Sequence, residues 1–345
     1  YIPVATSLSQ TTGTRWSGAQ SGIILNGGNF TGSSVVSVDG QDITPTSWSP
    51  TALTFEMINT ALWTVGAKNV TAVTPGVGSS SALTYTVSQD TRFKFIREPG
   101  SMIESSGAVS EWTNLGSAAS SDATQPVVGN RPGYVASGIN GLPSLEWYTG
   151  GSIRSLAVST SSPFYTFTAM HYFRVIKPSI ASAADVGVAL MYFYSGASTA
   201  HLQIGGEWAT ITGDSWSAYQ LQNGRAIGAS HANHSWSAGE TYLEETRAYY
   251  TVTIGSTGIG IALLKNGVDA PLTLTPAGLP LATALASNYY PAAQGGAATL
   301  IMLGYSGTGS PTLQTCEYVS NEIITGTTYT ELKAYLASIH AITIS

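Results

Sequence analysis

Charged residues are scarce in this chain: they make up 9% of its 345 residues, against roughly 25% in average globular proteins. Thirteen basic and nineteen acidic side chains give a net charge of -6, and no basic block occurs. Attraction to phosphate is therefore weak, and we expect no nucleic-acid partner. A surface kept soluble by Ser, Thr, Asn, Gln and Gly is typical of extracellular adhesins and of subunits packed into larger assemblies. We therefore expect a homo-oligomer or contacts with other surface proteins.

Cysteine is nearly absent as well. The single Cys316 excludes a disulfide framework and a cysteine-based metal site. We interpret it as a buried small apolar residue, with a reactive thiol as the alternative. We expect no cofactor and no metal.

Long apolar runs are also missing. No stretch approaches the 18 or more residues of a membrane span, so we expect no membrane insertion. The chain starts at Tyr1 rather than at methionine, which is consistent with a leader or an upstream segment before it.

The first 88 residues read as short strands separated by turns. An apolar run, Ile23 to Leu25, precedes the turn signal Asn26-Gly27-Gly28-Asn29. An alternating strand ends at Asp39-Gly40, and two closing strands surround Pro75-Gly76. Strands at this spacing predict a small β-sandwich.

These residues resemble the IPT/TIG family of immunoglobulin-like domains. The resemblance rests on GIILNGGNF, VVSVDG, SWSPTALTFEM and GAKNVTAVTPGVGSSSALTYTV. The positions that match the family pattern are Gly22, Gly27 or Gly28, Phe30, Gly40, Pro75 and Gly76. The resemblance implies a structural or spacer module.

Beyond a boundary placed near Ser88, the pattern stays rich in strands until a single helix near the C-terminus. The opening strand contains Arg92, Lys94 and Arg97, for which we predict a solvated strand face. In TTYTELKAYLASIH, Thr328 and Glu331 have the spacing of a capping box. An apolar stripe follows at helical spacing, made of Leu332, Tyr335, Leu336 and Ile339.

The segment DATQPVVGNRPGYVASGINGLPSLEWY, residues 122–148, contains prolines and glycines that favour edge or crossing structure. Asn140-Gly141 predicts a tight turn, and Leu145 and Trp147 alternate inward from a strand. A long surface loop over a core is the alternative.

Together with VSEWTNLGSAAS before it, this segment resembles the opening of concanavalin A-like, laminin-G-type domains. EYVSNEIITGTTYTELKAYLASIHAI resembles their closing strand, linker and helix. The family's usual Asp after the Trp is Asn114 here, and Asp122 alone does not make a calcium site. The matching positions are Val109, Trp112, Ala123, Gln125, Arg131, Pro132, Asn140, Gly141, Pro143, Leu145 and Leu156, with Trp147 in place of Phe.

Concanavalin A-like sandwiches include lectins and glycoside hydrolases, so the carboxylates decide between two classes of function. The hydrolase signature E-x-D-x-x-E is absent, and so are G-x-S-x-G, P-loop and H-E-x-x-H motifs. Glu244 and Glu245 are adjacent, hence on opposite faces of a strand, and Glu207 has no evident partner. We therefore predict a non-enzymatic protein.

Aromatic residues cluster between residues 208 and 236, on segments rich in Gly, Ser and Asn. Exposed aromatic rings can stack on the apolar face of a sugar ring, while Asn, Gln and Asp bind hydroxyls. Burial in the core or at a subunit interface is the alternative for the tryptophans, and a solvated loop is the alternative for the histidines. The candidate glycan-binding residues are Trp208, Trp216, Tyr219, His231, His234 and Trp236.

The sequence thus predicts an all-β protein, with an Ig-like IPT/TIG domain at 1–88 and a concanavalin A-like jelly-roll sandwich at 89–345. Both families recur in phage virion proteins. We expect a virion-surface or extracellular location and a structural or adhesive role, as a capsid decoration, fibre or tail adhesin that binds host glycans. The alternatives are a secreted bacterial cell-surface lectin or filament subunit, and a polysaccharide-degrading glycosidase.

Overall fold

The computed structural model describes residues 1–118, 121–149, 152–159, 169–178, 191–195, 200–204, 217–222, 225–230, 239–253, 256–266, 268–269, 273–276, 298–303 and 312–344. In these ranges the chain is built of β-strands with one α-helix, α1 (Gly326–His340). The prediction of an all-β protein with one C-terminal helix is confirmed. The chain divides into two compact units: Tyr1–Asp90 with Ile324–Tyr335, and Thr91–Ile323 with Leu336–Ser345.

The first unit contains ten strands in two sheets. One sheet has the order β1-β3-β7-β6, and the other has the order β2-β10-β8-β4-β5, with β9 paired to β8. The strands are β1 (Val4–Leu8), β2 (Thr12–Thr14), β3 (Gln20–Gly28), β4 (Val35–Val38), β5 (Gln41–Ile43), β6 (Ser47–Ser49), β7 (Ala52–Met57), β8 (Gly66–Thr74), β9 (Gly78–Ser79) and β10 (Leu83–Ser88).

The alternating apolar residues of these strands form the core of the first unit. Because successive side chains of a strand point to opposite faces, β3 and β7 each place every second residue inside. The buried residues include Ile23, Leu25, Phe30, Val36, Val38, Leu53, Phe55, Met57, Val70, Tyr85 and Val87.

Of two turns predicted in this unit, one forms where the sequence places it and the other does not. Asp39 and Gly40 have φ of 48° and 87° and close the β4–β5 hairpin as expected. In contrast, β3 continues through Gly27, which pairs with Ala5. A Cβ at Gly27 would lie 1.8 Å from the Val4 carbonyl oxygen. That glycine therefore serves a close approach of two strands, and the chain reverses only afterwards.

The first part of α1 belongs to the first unit through a set of polar and aromatic contacts. Glu331 Oε1 accepts a hydrogen bond of 2.6 Å from Asn59 Nδ2, and its Oε2 accepts one of 2.9 Å from Trp63 Nε1. The ring of Tyr335 lies 6.0 Å from that of Trp63. The predicted capping box is therefore wrong: α1 begins at Gly326, and Glu331 binds side chains of the first unit instead.

The second unit contains the remaining twenty described strands. They are β11 (Phe93–Arg97), β12 (Met102–Ser105), β13 (Ala108–Trp112), β14 (Ala123–Thr124), β15 (Gly133–Val135), β16 (Ser144–Glu146), β17 (Tyr148–Thr149), β18 (Ser152–Ile153), β19 (Leu156–Ser159), β20 (Ala169–Pro178), β21 (Met191–Ser195), β22 (Ala200–Ile204), β23 (Ser217–Gln222), β24 (Arg225–Ser230), β25 (Tyr242–Thr253), β26 (Ser256–Lys265), β27 (Val268–Asp269), β28 (Thr273–Pro276), β29 (Ala298–Leu303) and β30 (Thr312–Ser320).

Two series of antiparallel pairings organise this unit as a curled sandwich. One series runs β11-β30-β20-β25-β26. The other runs β12-β13-β14-β19-β29-β21-β22-β23-β24-β28. Side chains from both series share one core, as expected when two sheets pack face to face. Its buried members are Phe95, Val109, Trp112, Ala123, Leu145, Trp147, Leu156, Val158, Tyr172 and Val319.

The proline- and glycine-rich segment 122–148 crosses between the two series. Asn140 and Gly141 have φ of 50° and 76°, as the predicted turn requires. Leu145 and Trp147 are buried in the core, and Trp147 Nε1 donates a 2.9 Å hydrogen bond to Gln314 Oε1. The prediction that these two residues point inward from a strand is confirmed.

Cys316 is buried beside the C-terminal end of α1, as the apolar interpretation predicts. Its Sγ lies 3.5 Å from His340 Nε2. Burial raises the pKa of the Cys316 thiol well above its ordinary value, and burial lowers the pKa of His340 to about 4. A protonated thiol beside a neutral imidazole is not a nucleophile, so the reactive-thiol alternative is wrong.

We expect His340 to make the second unit sensitive to acid. Its folded pKa of about 4 lies below the ordinary histidine value of 6.5, so the unfolded chain binds the extra proton between these two pH values. This histidine should therefore remove up to about 3 kcal/mol of unfolding free energy as the pH falls from 6.5 to 4. Urea unfolding across this range should show a smaller loss for His340→Gln than for the wild type. Equal pH slopes for the two chains would contradict the assignment.

Candidate functional site

Strand β23 carries Tyr219, the one candidate glycan-binding residue whose backbone is described. It lies between β22 and β24, with Tyr219 paired to Gln203 on one side and to Gly228 on the other. The other five candidates, Trp208, Trp216, His231, His234 and Trp236, lie outside the described residues, as does Glu207.

The strands on either side of these candidates end at one edge of the sheet. Ile204, the last residue of β22, pairs with Ala218, and Ser217, the first residue of β23, pairs with Ser230, the last of β24. Ser230 in turn pairs with Thr273, the first residue of β28. We call this end of the sheet the Ser217 edge, defined by Ile204, Ser217, Ser230 and Thr273.

Chain connectivity then links the candidates to the Ser217 edge. Ile204 and Ser217 flank residues 205–216 in sequence, and both lie at the Ser217 edge. Ser230, which precedes residues 231–238 in sequence, lies at the same edge. The described residues that flank the two candidate segments are therefore neighbours in the sheet, although the segments themselves lie outside the described residues.

Two carboxylates of the described sandwich strands, Glu244 and Glu317, lie in a buried row of alternating charge. Arg97 of β11 is opposite Glu317 of β30, which is opposite Arg174 of β20, which is opposite Glu244 of β25. Ion pairs join Arg97 to Glu317 and Arg174 to Glu244. Each of these side chains is at most 1% exposed. We refer to them as the charge row.

The charge row lies on the core side of these strands. Arg97, Glu317 and Arg174 are two residues along their strands from the core residues Phe95, Val319 and Tyr172, and so share their face. Arg97 Nη2 also donates a 2.8 Å hydrogen bond to the carbonyl oxygen of Ser121. The prediction of a solvated face is therefore wrong for Arg97.

Within the charge row, burial and the neighbouring charges shift the pKa of Glu317 in opposite directions. Burial raises the pKa of Glu317, and the neighbouring Arg97 and Arg174 oppose that rise. A carboxylate in such surroundings is held by its cationic neighbours rather than by water. It is not available to an external substrate.

A second buried ion-pair group lies on the opposite face of β25, away from the charge row. Glu245 Oε1 lies 2.6 Å from His171 Nε2 and 2.6 Å from Arg247 Nη2. Burial lowers the pKa of His171, and its hydrogen bond with Glu245 opposes that shift. Since Glu244 pairs with Arg174 instead, the prediction that the adjacent glutamates face opposite ways is confirmed.

Asn114, which replaces the aspartate of the concanavalin A-like pattern, serves the backbone. Its Oδ1 accepts hydrogen bonds from the amides of Ile96 and Gly116, and its Nδ2 donates to two carbonyl oxygens. Asp122 Oδ1 accepts a 2.7 Å hydrogen bond from the Asn114 amide. Within the described ranges, no group of three or more His, Cys, Asp or Glu side chains is placed to hold a metal ion.

The charge row was missed by sequence reasoning, although it left a trace there. FKFIR, HYFRVI, TCEYVS and YLEETR are apolar strands that each carry charge near the middle or end. The signs are complementary between strands, but no pattern within one strand shows which other strand supplies its partner.

In the described part of the chain, no helix has the length and apolarity needed to cross a membrane.

No protein-family model and no curated protein sequence matches the chain. Among solved structures, it is similar to the globular domain of T. cruzi calreticulin, with 6% identity and a TM-score of 0.42 over 72% of this chain and 93% of that one. It is also similar to the binding domain of botulinum neurotoxin serotype D/C, with 8% identity and a TM-score of 0.38 over 72% of this chain and 52% of that one. A third similar structure is the carbohydrate recognition domain of Emp46p in its metal-free form, with 11% identity and a TM-score of 0.33 over 52% of this chain and 83% of that one. TM-scores below 0.5 are no evidence for a shared ligand or activity.

We expect the charge row to be coupled energetically. Arg97→Met leaves Glu317 buried without its main partner and should lower the unfolding free energy by about 3–5 kcal/mol. Arg97→Met with Glu317→Leu should recover most of that loss, because no lone charge remains. Denaturant unfolding followed by tryptophan fluorescence measures both.

The matched control for this series is Arg92→Met. Arg92 Nε lies 3.5 Å from Glu322 Oε1, and both side chains are exposed to solvent, so this change should cost about 0–1 kcal/mol. A loss for Arg97→Met no larger than that for Arg92→Met would show that the row contributes no more than a surface pair.

Proposed function

We propose that the protein is a non-enzymatic adhesive and structural protein of a virion surface, whose larger unit binds host glycans at the Ser217 edge. The observation that carries the proposal is the pairing register, which places Ile204, Ser217 and Ser230, the residues that flank segments 205–216 and 231–238 in sequence, at one edge of one sheet. Aromatic rings and neutral polar side chains on adjoining segments are the groups that sugar rings require.

The absence of a catalytic role is supported by the placement of the glutamates. A glycosidase needs two carboxyl groups that reach the same glycosidic bond. Glu244 and Glu245 lie buried on opposite faces of β25, each paired to a cation. Glu317 is likewise buried against Arg97. These three carboxylates are committed to the interior, which supports binding without turnover by this unit.

The virion setting is supported by the combination of a small Ig-like sandwich with a larger one, and by the low charge of the chain. Capsid decoration, fibre subunit and tail adhesin are the roles that fit, and a secreted bacterial surface lectin or filament subunit is the competing assignment. A chain with 9% charged residues presents few charges at its surface, which suits contacts with copies of itself. Sedimentation equilibrium that finds only monomer would count against that self-association.

We expect Trp216→Ala and Trp236→Ala each to weaken glycan binding at least tenfold, because each removes a stacking surface. A glycan array probed with the full chain identifies the bound saccharide, and titration calorimetry with that saccharide measures the change. The control is Val128→Ala, which shortens an exposed side chain of the same unit and should leave the affinity unchanged.

Two results would overturn the proposal. Equal affinity for the wild type and both tryptophan variants would remove the Ser217 edge as the binding site. Turnover of a polysaccharide by the wild type, abolished by Glu207→Gln, would replace the binding function with hydrolysis.

A further inference from the structure

Trp48 stands apart from the other tryptophans of the described chain. Trp16, Trp112 and Trp147 are buried, whereas the Trp48 side chain is 53% exposed. It lies on β6, the edge strand of the sheet β1-β3-β7-β6 in the first unit. A large aromatic surface therefore faces solvent at a position far in sequence from the Ser217 edge.

The indole of Trp48 is fixed against Gly32. A Cβ at Gly32 would lie 3.1 Å from Trp48 Cζ2, 3.3 Å from its Cε2 and 3.6 Å from its Nε1. The ring therefore rests on main chain that only glycine leaves uncovered. Its own backbone is paired with Leu53 of β7, so the strand that carries the ring is fixed before any ligand arrives.

The turn that contains Gly32 is closed by hydrogen bonds. The Thr31 amide donates a 2.9 Å hydrogen bond to Ser34 Oγ, and the Ser34 amide donates one of 3.0 Å to the Thr31 carbonyl oxygen. The Ser34 hydroxyl lies 2.8 Å from Thr74 Oγ1 in the interior. Because the turn is anchored, the exposed ring costs little entropy to present to a ligand.

The surroundings of the ring are hydroxyl-rich and uncharged. Thr31, Ser33 and Thr46 are exposed, and Thr31 Oγ1 lies 3.0 Å from Ser33 Oγ. Segments 29–34 and 45–50 contain no charged residue. An apolar ring face bordered by neutral donors and acceptors matches the chemistry of a neutral sugar, with its C–H face and its ring of hydroxyl groups.

A purely structural role accounts for only part of this arrangement. Trp48 covers Leu53, its fully buried partner on β7, and that explains the half of the indole that is hidden. A smaller apolar side chain would cover Leu53 without an exposed ring resting on a glycine.

We propose that Trp48, resting on Gly32, is a stacking site for a neutral saccharide on the first unit, separate from the Ser217 edge. The hydroxyl groups we assign to its border are those of Thr31 and Ser33, which flank Gly32 in sequence, and of Thr46, two residues before Trp48. This site goes beyond the proposed function of the larger unit, and it stands or fails independently of it.

The test is a titration of the full chain followed by the indole Nε1 resonances of its eight tryptophans. The probes are three neutral hexasaccharides, built from β-1,4-glucose, α-1,4-glucose and β-1,4-N-acetylglucosamine, each raised to about 10 mM to populate even millimolar sites. Trp48→Ala assigns the Trp48 resonance by its disappearance. We expect at least one probe to shift that resonance with saturation.

Variants at two glycines separate stacking geometry from general effects. Gly32→Ala keeps the indole but displaces it and should raise the half-saturating concentration about tenfold. Gly28→Ala, where a Cβ meets nothing within 4 Å, should leave it unchanged. The double variant Trp216→Ala/Trp236→Ala should also leave the Trp48 titration unchanged.

The set of tryptophans whose resonances shift shows which of the two proposed sites binds the saccharide. Shifts confined to Trp216 and Trp236 would overturn the Trp48 site and support the Ser217 edge, and shifts confined to Trp48 would do the reverse. No shift of Trp48 with any probe, or unchanged binding by Gly32→Ala, would overturn the Trp48 site.

Discussion

The second unit depends on one constraint: four buried charges must meet their partners inside a sandwich. Only 32 residues of the chain are Asp, Glu, Lys or Arg, from 13 basic and 19 acidic, yet Arg97, Glu317, Arg174 and Glu244 lie in its interior. A lone buried charge costs several kcal/mol, and a one-residue slip would turn each side chain to the other face of its sheet. The alternation of sign across β11, β30, β20 and β25 therefore favours a single register for four strands that are distant in sequence.

The burial of these glutamates also bears on which side chains the two proposed sites use to bind a ligand. With Glu244, Glu245 and Glu317 committed to buried cations, the proposed surfaces rely on aromatic rings, hydroxyls and amides. The two proposed sites share this chemistry but differ in construction. At the Ser217 edge, strand register places Ile204, Ser217 and Ser230 at one end of the sheet. At Trp48, a glycine leaves room for an indole to lie on the main chain. Both fit a chain whose surface carries little charge.

Local signals in the sequence predicted local structure well. The turns at Asp39-Gly40 and Asn140-Gly141 and the inward side chains of Leu145 and Trp147 follow from residue type and alternation. The predictions were wrong where a residue distant in sequence determines whether a side chain is buried or what it binds. Arg97 has the pattern of a solvated strand residue, and its burial depends on Glu317, 220 residues away. Glu331 has capping-box spacing, but Asn59 and Trp63 bind its carboxylate. Of the candidate glycan site, the structure describes the strand of Tyr219, and all six candidate residues stay predictions.

We propose above all that the Ser217 edge binds a glycan without hydrolysing it. The most direct measurement is a crystal structure of the full chain soaked with the saccharide selected on the glycan array. We expect density for the intact saccharide at the ends of β22, β23 and β24, in contact with at least one of Trp208, Trp216 and Trp236. Density for a cleaved saccharide, or for an intact one elsewhere on the second unit with the Ser217 edge empty, would contradict the account.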